Sequence, residues 1–175
     1  MEVSEARYYA HQLQPNWTAS SRSDLTETVF FNSANKTNSL GKVTGSFYLS
    51  DLITKFRLIA NAFDTAGVIG YEVGYFQTQK PLYISFELPT AYTVGDLMDI
   101  TVNVVNLMKE DVLVAVAGNS SDALVIGMPL ALVPVKAESN ANVTLFALAK
   151  KPAESVKVTL GIVANTSQGL LEDSL

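Results

Sequence analysis

The sequence contains no cysteine, so this segment holds no disulfide, no thiol nucleophile, no cysteine-ligated zinc and no thioester. Histidine occurs once, at His11, and no Gly-x-Ser-x-Gly elbow is present. A Ser-His-Asp triad would need that single imidazole near the start of the chain, where a surface role is the more frequent one. These absences predict that the chain is not an enzyme and holds no cofactor or metal.

Positive charge and long apolar runs are scarce as well. The formal net charge is −5, and the basic residues are scattered, whereas a nucleic-acid-binding face needs them clustered. The most apolar run, Ala123–Val135, is interrupted by Pro129 and Pro134 and is too short to span a membrane. The first residues, MEVSEARYYAHQ, lack the basic and apolar regions of a signal peptide. We expect neither a nucleic-acid partner nor a membrane span.

Apolar residues recurring at a period of two are what the sequence does have. Hydrophobic residues make up 48% of the chain and charged residues 17%, which is enough for a real core. No long stretch keeps a period of 3.6, so strands are favoured over helices, and turn residues separate them at the spacing of antiparallel sandwiches. The predicted strands are Asp24–Phe31, Lys42–Leu49, Thr54–Asp64, Ile69–Phe76, Leu82–Leu88, Met98–Val105, Asp111–Ala117, Val143–Leu145 and Val156–Ile162, with further buried strand in Ala123–Val135.

The density of strands divides the chain near Gln77–Lys80. The strands after Lys80 are enough to close a sandwich, whereas the few before it are too few for a whole domain of that type. We therefore expect an irregular segment at 1–23, a partial β-sandwich at 24–78 and a complete β-sandwich at 79–175. In the strand after Thr54, alternation predicts a core face made of Phe56, Leu58, Ala60 and Ala62. A bulge or close approach is expected at Gly45.

Asn-x-Ser/Thr acceptor sites occur more often than chance would give, five against about two. Only exposed sites of a secreted protein are used, so the excess predicts a secreted, extracellular glycoprotein. The absence of cysteine points the other way, but a large multidomain protein can hold some domains together by their cores alone. The candidate glycosylated residues are Asn16, Asn35, Asn119, Asn142 and Asn165.

Two acidic patterns have both a functional and a structural interpretation. Asp96 and Asp99 are near enough in sequence to bind calcium, but the loop lacks further carboxylates, and Gly95-Asp96 is typical of a turn between strands. Glu172 and Asp173 are adjacent carboxylates near the end of the chain. We expect them to lie solvated in an exposed tail and to have no catalytic role.

A glycine pattern and an aromatic pattern are ambiguous in the same way. The glycines of Gly67–Gly74 lack the Lys-Ser/Thr and helix of a phosphate loop, so a bulged strand turn is favoured. The aromatics Tyr71, Tyr75, Phe76 and Tyr83 would suit a stacking platform for sugars or bases, but packing on a sheet is more frequent.

An ordered block of short motifs runs from Glu27 to Asn106. An acidic residue and an aromatic pair come first, followed by a glycine, an Asp-x-x-Thr-x-aromatic motif and a glycine-containing strand. A Lys-Pro opening, a strand ending Leu-Pro, a Gly-Asp turn and a strand ending in Asn complete it. This order resembles that of the α2-macroglobulin and complement superfamily. The residues that carry the resemblance are Glu27, Phe30, Phe31, Gly41, Asp51, Thr54, Phe56, Lys80, Pro81, Pro89, Gly95, Asp96 and Asn106.

The resemblance implies that 24–78 is the C-terminal half of a sixth macroglobulin-like domain and 79–175 a seventh. It implies a non-catalytic piece of a secreted protein of innate immunity, either a broad-spectrum endopeptidase inhibitor or a complement-like opsonin. The partners would be other domains of the same polypeptide and, through the parent protein, target proteases. The family's Cys-Gly-Glu-Gln thioester motif is not in this segment. The alternative is a stand-alone Ig-like adhesion or carbohydrate-binding module, which the strand pattern fits equally well.

Overall fold

The structure, a computed structural model, describes residues 21–33, 35–127 and 130–175. Within those ranges every regular element is a strand and none is a helix, and all strand pairs are antiparallel. The predicted all-β, antiparallel fold class is therefore confirmed. The strands are β1 (Lys55–Phe63), β2 (Ile69–Gln77), β3 (Leu82–Phe86), β4 (Leu97–Asn106), β5 (Val112–Ser120), β6 (Leu124–Ile126), β7 (Leu130–Val135), β8 (Ser139–Ala149), β9 (Val158–Thr166) and β10 (Gly169–Ser174).

The chain forms two compact units. In the described residues, unit 1 is Ser23–Gln79, and unit 2 is Lys80–Leu175 together with the short segment that ends at Arg22. Most of the predicted irregular segment 1–23 lies outside the described residues.

Unit 2 consists of two four-stranded sheets. One has the order β3-β4-β8-β6 and the other β10-β9-β5-β7. Alternate residues of both sheets form a single core, in which Ile84, Ile100, Leu145 and Leu160 are at most 1% exposed. Burying a Leu or Ile side chain fully stabilises the fold by about 1.5–3 kcal/mol. The period-two pattern of these strands thus places one face of each sheet against the other.

One glycine permits the close packing of this core. A Cβ at Gly118 in β5 would lie 2.9 Å from Leu160 Cδ2 and 3.0 Å from Ile126 Cδ1. Those contacts are shorter than carbon atoms tolerate, so a larger residue would push the two sheets' side chains apart.

Unit 1 contains a single two-stranded ribbon, β1-β2, in its described residues. The register is unbroken from Lys55 opposite Gln77 to Phe63 opposite Ile69, so the predicted bulge in the glycine-rich strand is absent. Gly67 has a φ of 83°, and Asp64 Oδ1 accepts hydrogen bonds from the amides of Ala66 and Val68. The turn at Gly67 is therefore confirmed, with Asp64 as the residue that closes it.

Four further expectations for unit 1 were wrong. Asp24–Phe31 and Lys42–Leu49 contain no strand, so Gly45 is not a bulge in one. Of the predicted core face of β1 only Phe56 is buried, and Leu58 is 48% exposed. Alternation identifies the residues that could form a buried face. The face of β1 stays exposed because the described two-stranded ribbon has no second sheet packed on it.

Candidate functional site

The most constrained polar group of unit 2 is the carboxylate of Asp173, whose side chain is fully buried in β10. Its Oδ1 accepts hydrogen bonds from Lys80 Nζ at 2.7 Å and Arg22 Nε at 2.9 Å. Its Oδ2 accepts from Arg22 Nη2 at 2.9 Å and from the Ile84 amide at 3.0 Å. Arg22 Nη2 also donates to the Ile84 carbonyl. A buried charge with two cations and an amide around it is well compensated.

This arrangement corrects the expectation of a solvated acidic tail. Glu172 is exposed as expected, but Asp173 faces inward beside the partly buried Leu171 and Leu175, which pack on the core. Burial is tolerated because Arg22 and Lys80 neutralise the carboxylate there.

The two cations of this cluster occupy particular places along the chain. Arg22 is the last residue of unit 2 before the chain enters unit 1, and Lys80 is the first after it returns. The carboxylate of Asp173 therefore binds unit 2 at both points where the chain passes between the units, at Arg22 and at Lys80. Sequence reasoning singled out Lys80 as a motif residue but missed Arg22.

Asn106 is the second buried polar residue of unit 2 and is 0% exposed. Its Nδ2 donates to the Glu110 carbonyl at 2.8 Å and to the Lys136 carbonyl at 3.0 Å. Its Oδ1 accepts from the Met108 amide at 3.0 Å. One side chain thus satisfies backbone groups of two loops, one after β4 and one after β7, which gives a structural reason for an asparagine at the end of β4.

The Gly95-Asp96 pair forms the predicted turn. Gly95 has a φ of 97°, and Asp96 Oδ2 accepts from the Thr93 amide at 2.7 Å. A positive φ favours glycine, and an aspartate closing its own turn explains the pair without calcium. Within the described ranges no three His, Cys, Asp or Glu side chains lie close enough to hold a metal ion.

The two proline motifs lie at loops of unit 2. The carbonyl of Pro81 accepts from the Leu107 amide at 2.8 Å, and Pro81 itself is exposed. Pro89 lines a cleft of about 280 Å³ between the loop after β3 and the loop after β8. The cleft wall is formed mainly by apolar residues, with Glu154 as its one ionisable carboxylate.

In unit 1, Asp51 ties the segment after Arg22 to the start of the ribbon. Its Oδ2 accepts from the amides of Ser23 and Asp24 at 3.0 and 2.9 Å. The Asp51 amide in turn donates to the Asp24 carbonyl at 2.8 Å. Thr54 and Thr78 close the base of the ribbon through a 3.0 Å bond from the Thr78 amide to the Thr54 carbonyl.

Four phenylalanines pack in a row in unit 1, with the outer two pairs stacked and the middle pair tilted. Ring centroids are 5.0 Å apart for Phe30 and Phe47, 6.2 Å for Phe47 and Phe76, and 5.2 Å for Phe76 and Phe56. This row holds the irregular segments of unit 1 against one end of the ribbon. Phe31 is 59% exposed and Glu27 is exposed as well, so these two motif residues are outside the row.

The tyrosines singled out in the sequence lie at the surface. Tyr71 and Tyr75 of β2 are 63% and 61% exposed, and Lys55 Nζ lies 4.6 Å from the centre of the Tyr75 ring. Tyr83 is half-buried on β3. Phe76 is the one of the four that joins an aromatic cluster.

The glycosylation candidates are accessible where the structure describes them. Asn35, Asn119, Asn142 and Asn165 are all exposed, while Asn16 lies outside the described residues. Asn119, Asn142 and Asn165 are on β5, β8 and β9, on the outer faces of the two sheets.

One exposed ion pair has perturbed titration. Lys136 Nζ lies 2.6 Å from Asp111 Oδ2, and the Ala137 amide donates to Asp111 Oδ1. The hydrogen bond from Lys136 lowers the pKa of Asp111 below its ordinary value, and the same bond raises the pKa of Lys136. The pair joins the loop before β5 to the residue that follows β7. Among the described residues no helix is long and apolar enough to cross a membrane.

Comparison with known proteins gives a family match and several structural likenesses. Residues 28–117 match the model of the Alpha-2-macroglobulin family. Trypsin-activated alpha-2-macroglobulin from Escherichia coli superposes with a TM-score of 0.69 at 17% identity, covering 79% of this chain and 10% of that one. The native conformation of the E. coli protein gives 0.59 at 16% identity, covering 83% and 10%.

Alpha-2-macroglobulin from Salmonella reacted with methylamine gives a TM-score of 0.55 at 14% identity, covering 79% of this chain and 9% of that one. At these identities the likenesses show a shared fold. The chain spans about a tenth of the length of the proteins it matches.

Proposed function

The chain belongs to the alpha-2-macroglobulin family, and we propose that it is a non-catalytic scaffold segment of a longer, secreted member that inhibits endopeptidases. The observation that carries the proposal is the family match across 28–117, which runs through unit 1 and into unit 2 in one continuous order. A complement-like opsonin is the other role for a protein of this kind.

The domain assignment is part of the proposal. We propose that 24–78 is the C-terminal half of a sixth macroglobulin-like domain and that 79–175 is the seventh. The two-stranded ribbon of unit 1 and the two four-stranded sheets of unit 2 support it, because among the described residues only unit 2 has a sheet on each side of its core. Strands from elsewhere in the parent polypeptide would complete unit 1.

The role in inhibition would be mechanical. Two of the similar bacterial proteins are described as trypsin activated and as reacted with methylamine. If the parent protein here changes conformation after proteolysis, unit 2 would move as a rigid body and transmit that change to the domains next to it. The compensated Asp173 cluster and the Asn106 network support such rigidity, since each fixes backbone segments that are distant in sequence.

The test is the size and protease response of the native parent polypeptide, detected with an antibody raised against this chain. We expect a species many times longer than 175 residues that becomes compact on native gels after limited proteolysis. Incorporation of methylamine would then establish a thioester elsewhere in that polypeptide. A native protein little longer than this chain would rule out protease trapping.

One observation favours a second function, carbohydrate binding. Tyr71 and Tyr75 are exposed on the same face of the ribbon, opposite Asn61 and Arg57. Exposed aromatic faces beside polar groups suit sugar stacking. Glycan-array binding that is lost in Tyr71→Ala and Tyr75→Ala would support this module, and no binding by the intact chain would remove it.

A further inference from the structure

The two outer faces of unit 2 differ in how their exposed apolar side chains are distributed. On the β3-β4-β8-β6 sheet these side chains gather at one end, at Leu97, Val125, Phe146 and Leu148, whereas on the other sheet they spread across the strands. On the β10-β9-β5-β7 sheet the outward residues include Leu113, Leu130, Leu132, Val163 and Leu170, which are between 42% and 65% exposed. We name this set the leucine face. On the β3-β4-β8-β6 sheet the centre of the outward surface is polar, with Thr101, Asn103, Asn140, Asn142 and Thr144, and we name it the polar face.

The register shows that one row of the leucine face is continuous across three strands. Leu132 of β7 is opposite Ala115 of β5, which is opposite Val163 of β9. The row ends at Glu172 of β10, the only charged side chain that the four strands place on this surface. Apolar side chains therefore run without a break across three strands to a single acidic edge.

The size of the leucine face indicates what kind of occupant it suits. Strands about 4.8 Å apart and same-face residues about 6.8 Å apart give roughly 400 Å² for the whole outer face of this sheet, four strands by three rows, and the leucine face is the apolar part of it. A stable dimer of separate chains needs about 800 Å² on each partner. Interfaces between domains of one polypeptide are stable at smaller areas, because the tether supplies a high effective concentration.

We propose that the leucine face docks against an apolar, charge-poor sheet surface of another domain in the same polypeptide, with a basic group opposite Glu172. This inference rests on the proposed function, since it requires a longer parent chain. A neighbour with charges across its docking surface would leave them desolvated against leucine, which selects an apolar partner. The polar face stays in solvent.

Asn165 lies within the leucine face. It is opposite Leu170 of β10, and its neighbour Ala164 is opposite Val114, so Asn165 stands beside Leu113. A glycan on Asn165 would cover the face, whereas a glycan on Asn142 would stand on the polar face. Docking and glycosylation at Asn165 therefore exclude each other.

The absence of cysteine makes a direct test simple, because one introduced thiol gives one labelled peptide from this segment. Leu132→Cys reports on the leucine face and Thr101→Cys on the polar face. Each is placed in the 175-residue chain and in the parent polypeptide, and maleimide labelling is measured by mass spectrometry of the modified peptide.

In the chain alone we expect similar labelling rates at both positions. In the parent polypeptide, the labelling rate of Leu132→Cys should fall by about tenfold or more, because labelling then requires undocking. The rate of Thr101→Cys should stay the same. Equal rates for Leu132→Cys in the two contexts would overturn the proposal. A second result would also overturn it. If the 175-residue chain sediments as a dimer, and Leu132→Lys dissociates that dimer but Thr101→Lys does not, the occupant of the leucine face is a second copy of the chain.

The same samples separate this inference from the proposed function. If the parent polypeptide becomes compact after proteolysis but Leu132→Cys labels at the rate of the chain, only the docking inference fails. If the native protein is little longer than the chain, both fail.

Discussion

Unit 2 and unit 1 share the period-two sequence pattern but differ in how much of it they bury. In unit 2 the alternate residues of two sheets meet, and residues such as Val102 and Leu145 are fully enclosed. In the described part of unit 1 the buried hydrophobic residues are Val29 and Phe56, while Phe63, Ile69 and Tyr71 at the ribbon's far end are more than 60% exposed. The pattern makes strands, but a second layer is needed to make a core.

The difference predicts where stability resides in the isolated chain. Most of the hydrophobic free energy should belong to unit 2, with unit 1 depending on a phenylalanine row and a few turn hydrogen bonds. Substitutions that are chemically alike should therefore have very unlike effects in the two units.

The largest effect is expected from Asp173→Asn. The amide cannot neutralise Arg22 and Lys80, and breaking a buried ion pair costs about 3–5 kcal/mol of the free energy of unfolding. Urea denaturation followed by circular dichroism measures the loss, and hydrogen exchange should locate it in β3 and β10. Asp122→Asn is the matched control, because the Asp122 side chain is 94% exposed and 3.7 Å from Lys151. A change of under about 1 kcal/mol in Asp173→Asn would contradict the buried cluster.

Leu145→Ala and Leu58→Ala test the comparison itself. Leu145 is 0% exposed, so its truncation should cost about 2–5 kcal/mol through lost burial and the cavity left behind. Leu58 is 48% exposed, and its truncation should change the stability of the isolated chain by about 0.5 kcal/mol or less. Comparable losses in urea titrations of the two variants would mean that unit 1 covers the ribbon as fully as unit 2 covers β8.

Asn106→Ala should be costly through hydrogen bonds and not through volume. It removes the partner of the Met108 amide and of the Glu110 and Lys136 carbonyls, at about 1–3 kcal/mol. Hydrogen exchange should rise at Met108 and in the loop before β8. Asn142→Ala, at an exposed position of β8, serves as the control. If both variants behave alike, the network does not hold the loops.

The smallest effect is expected from Lys136→Gln. Loss of the ammonium removes the main cause of the lowered pKa of Asp111, so that pKa should return toward its ordinary value of 3.8. Because the folded-state pKa is lowered, the pair stabilises the chain above the ordinary value, and that contribution disappears as the pH falls through the folded-state value. NMR titration of the Asp111 carboxyl measures the change, and an unchanged titration in Lys136→Gln would assign the lowered pKa to the Ala137 amide instead. Stability should barely change, since both groups are exposed.

Sequence reasoning predicted unit 2 well because its signals are local. The alternating runs starting at Leu82 and Met98 became β3 and β4 with ends shifted by a few residues, and the run Ala123–Val135 contains β6 and β7. In unit 1 the runs Asp24–Phe31 and Lys42–Leu49 carried the same local signal. In these runs the Asp24 amide donates to the Asp51 carboxylate, and the rings of Phe30 and Phe47 stack on each other. No neighbouring strand in the described residues pairs with either run.

Asp173 shows what local reasoning cannot supply. In the stretch Gly169–Leu175 a charged, polar window suggested an exposed tail, yet Leu171, Asp173 and Leu175 share one phase of a strand. A carboxylate on the face of a strand that otherwise carries apolar residues indicates that a buried partner neutralises it. The partners themselves, Arg22 and Lys80, are too distant in sequence for any window to identify.

The distance in sequence between Arg22 and Asp173 means that the two residues are synthesised at different times. Arg22 and Asp173 are 151 residues apart, so at about 5–20 residues per second the guanidinium is made about 8–30 s before the carboxylate that neutralises it. During that interval β3 to β9 are made one after another, and β10, which carries the carboxylate, is the last of these strands to be translated. A chain that ended before Gly169 would contain β3 to β9 but would lack both the edge strand β10 and the carboxylate that binds Arg22.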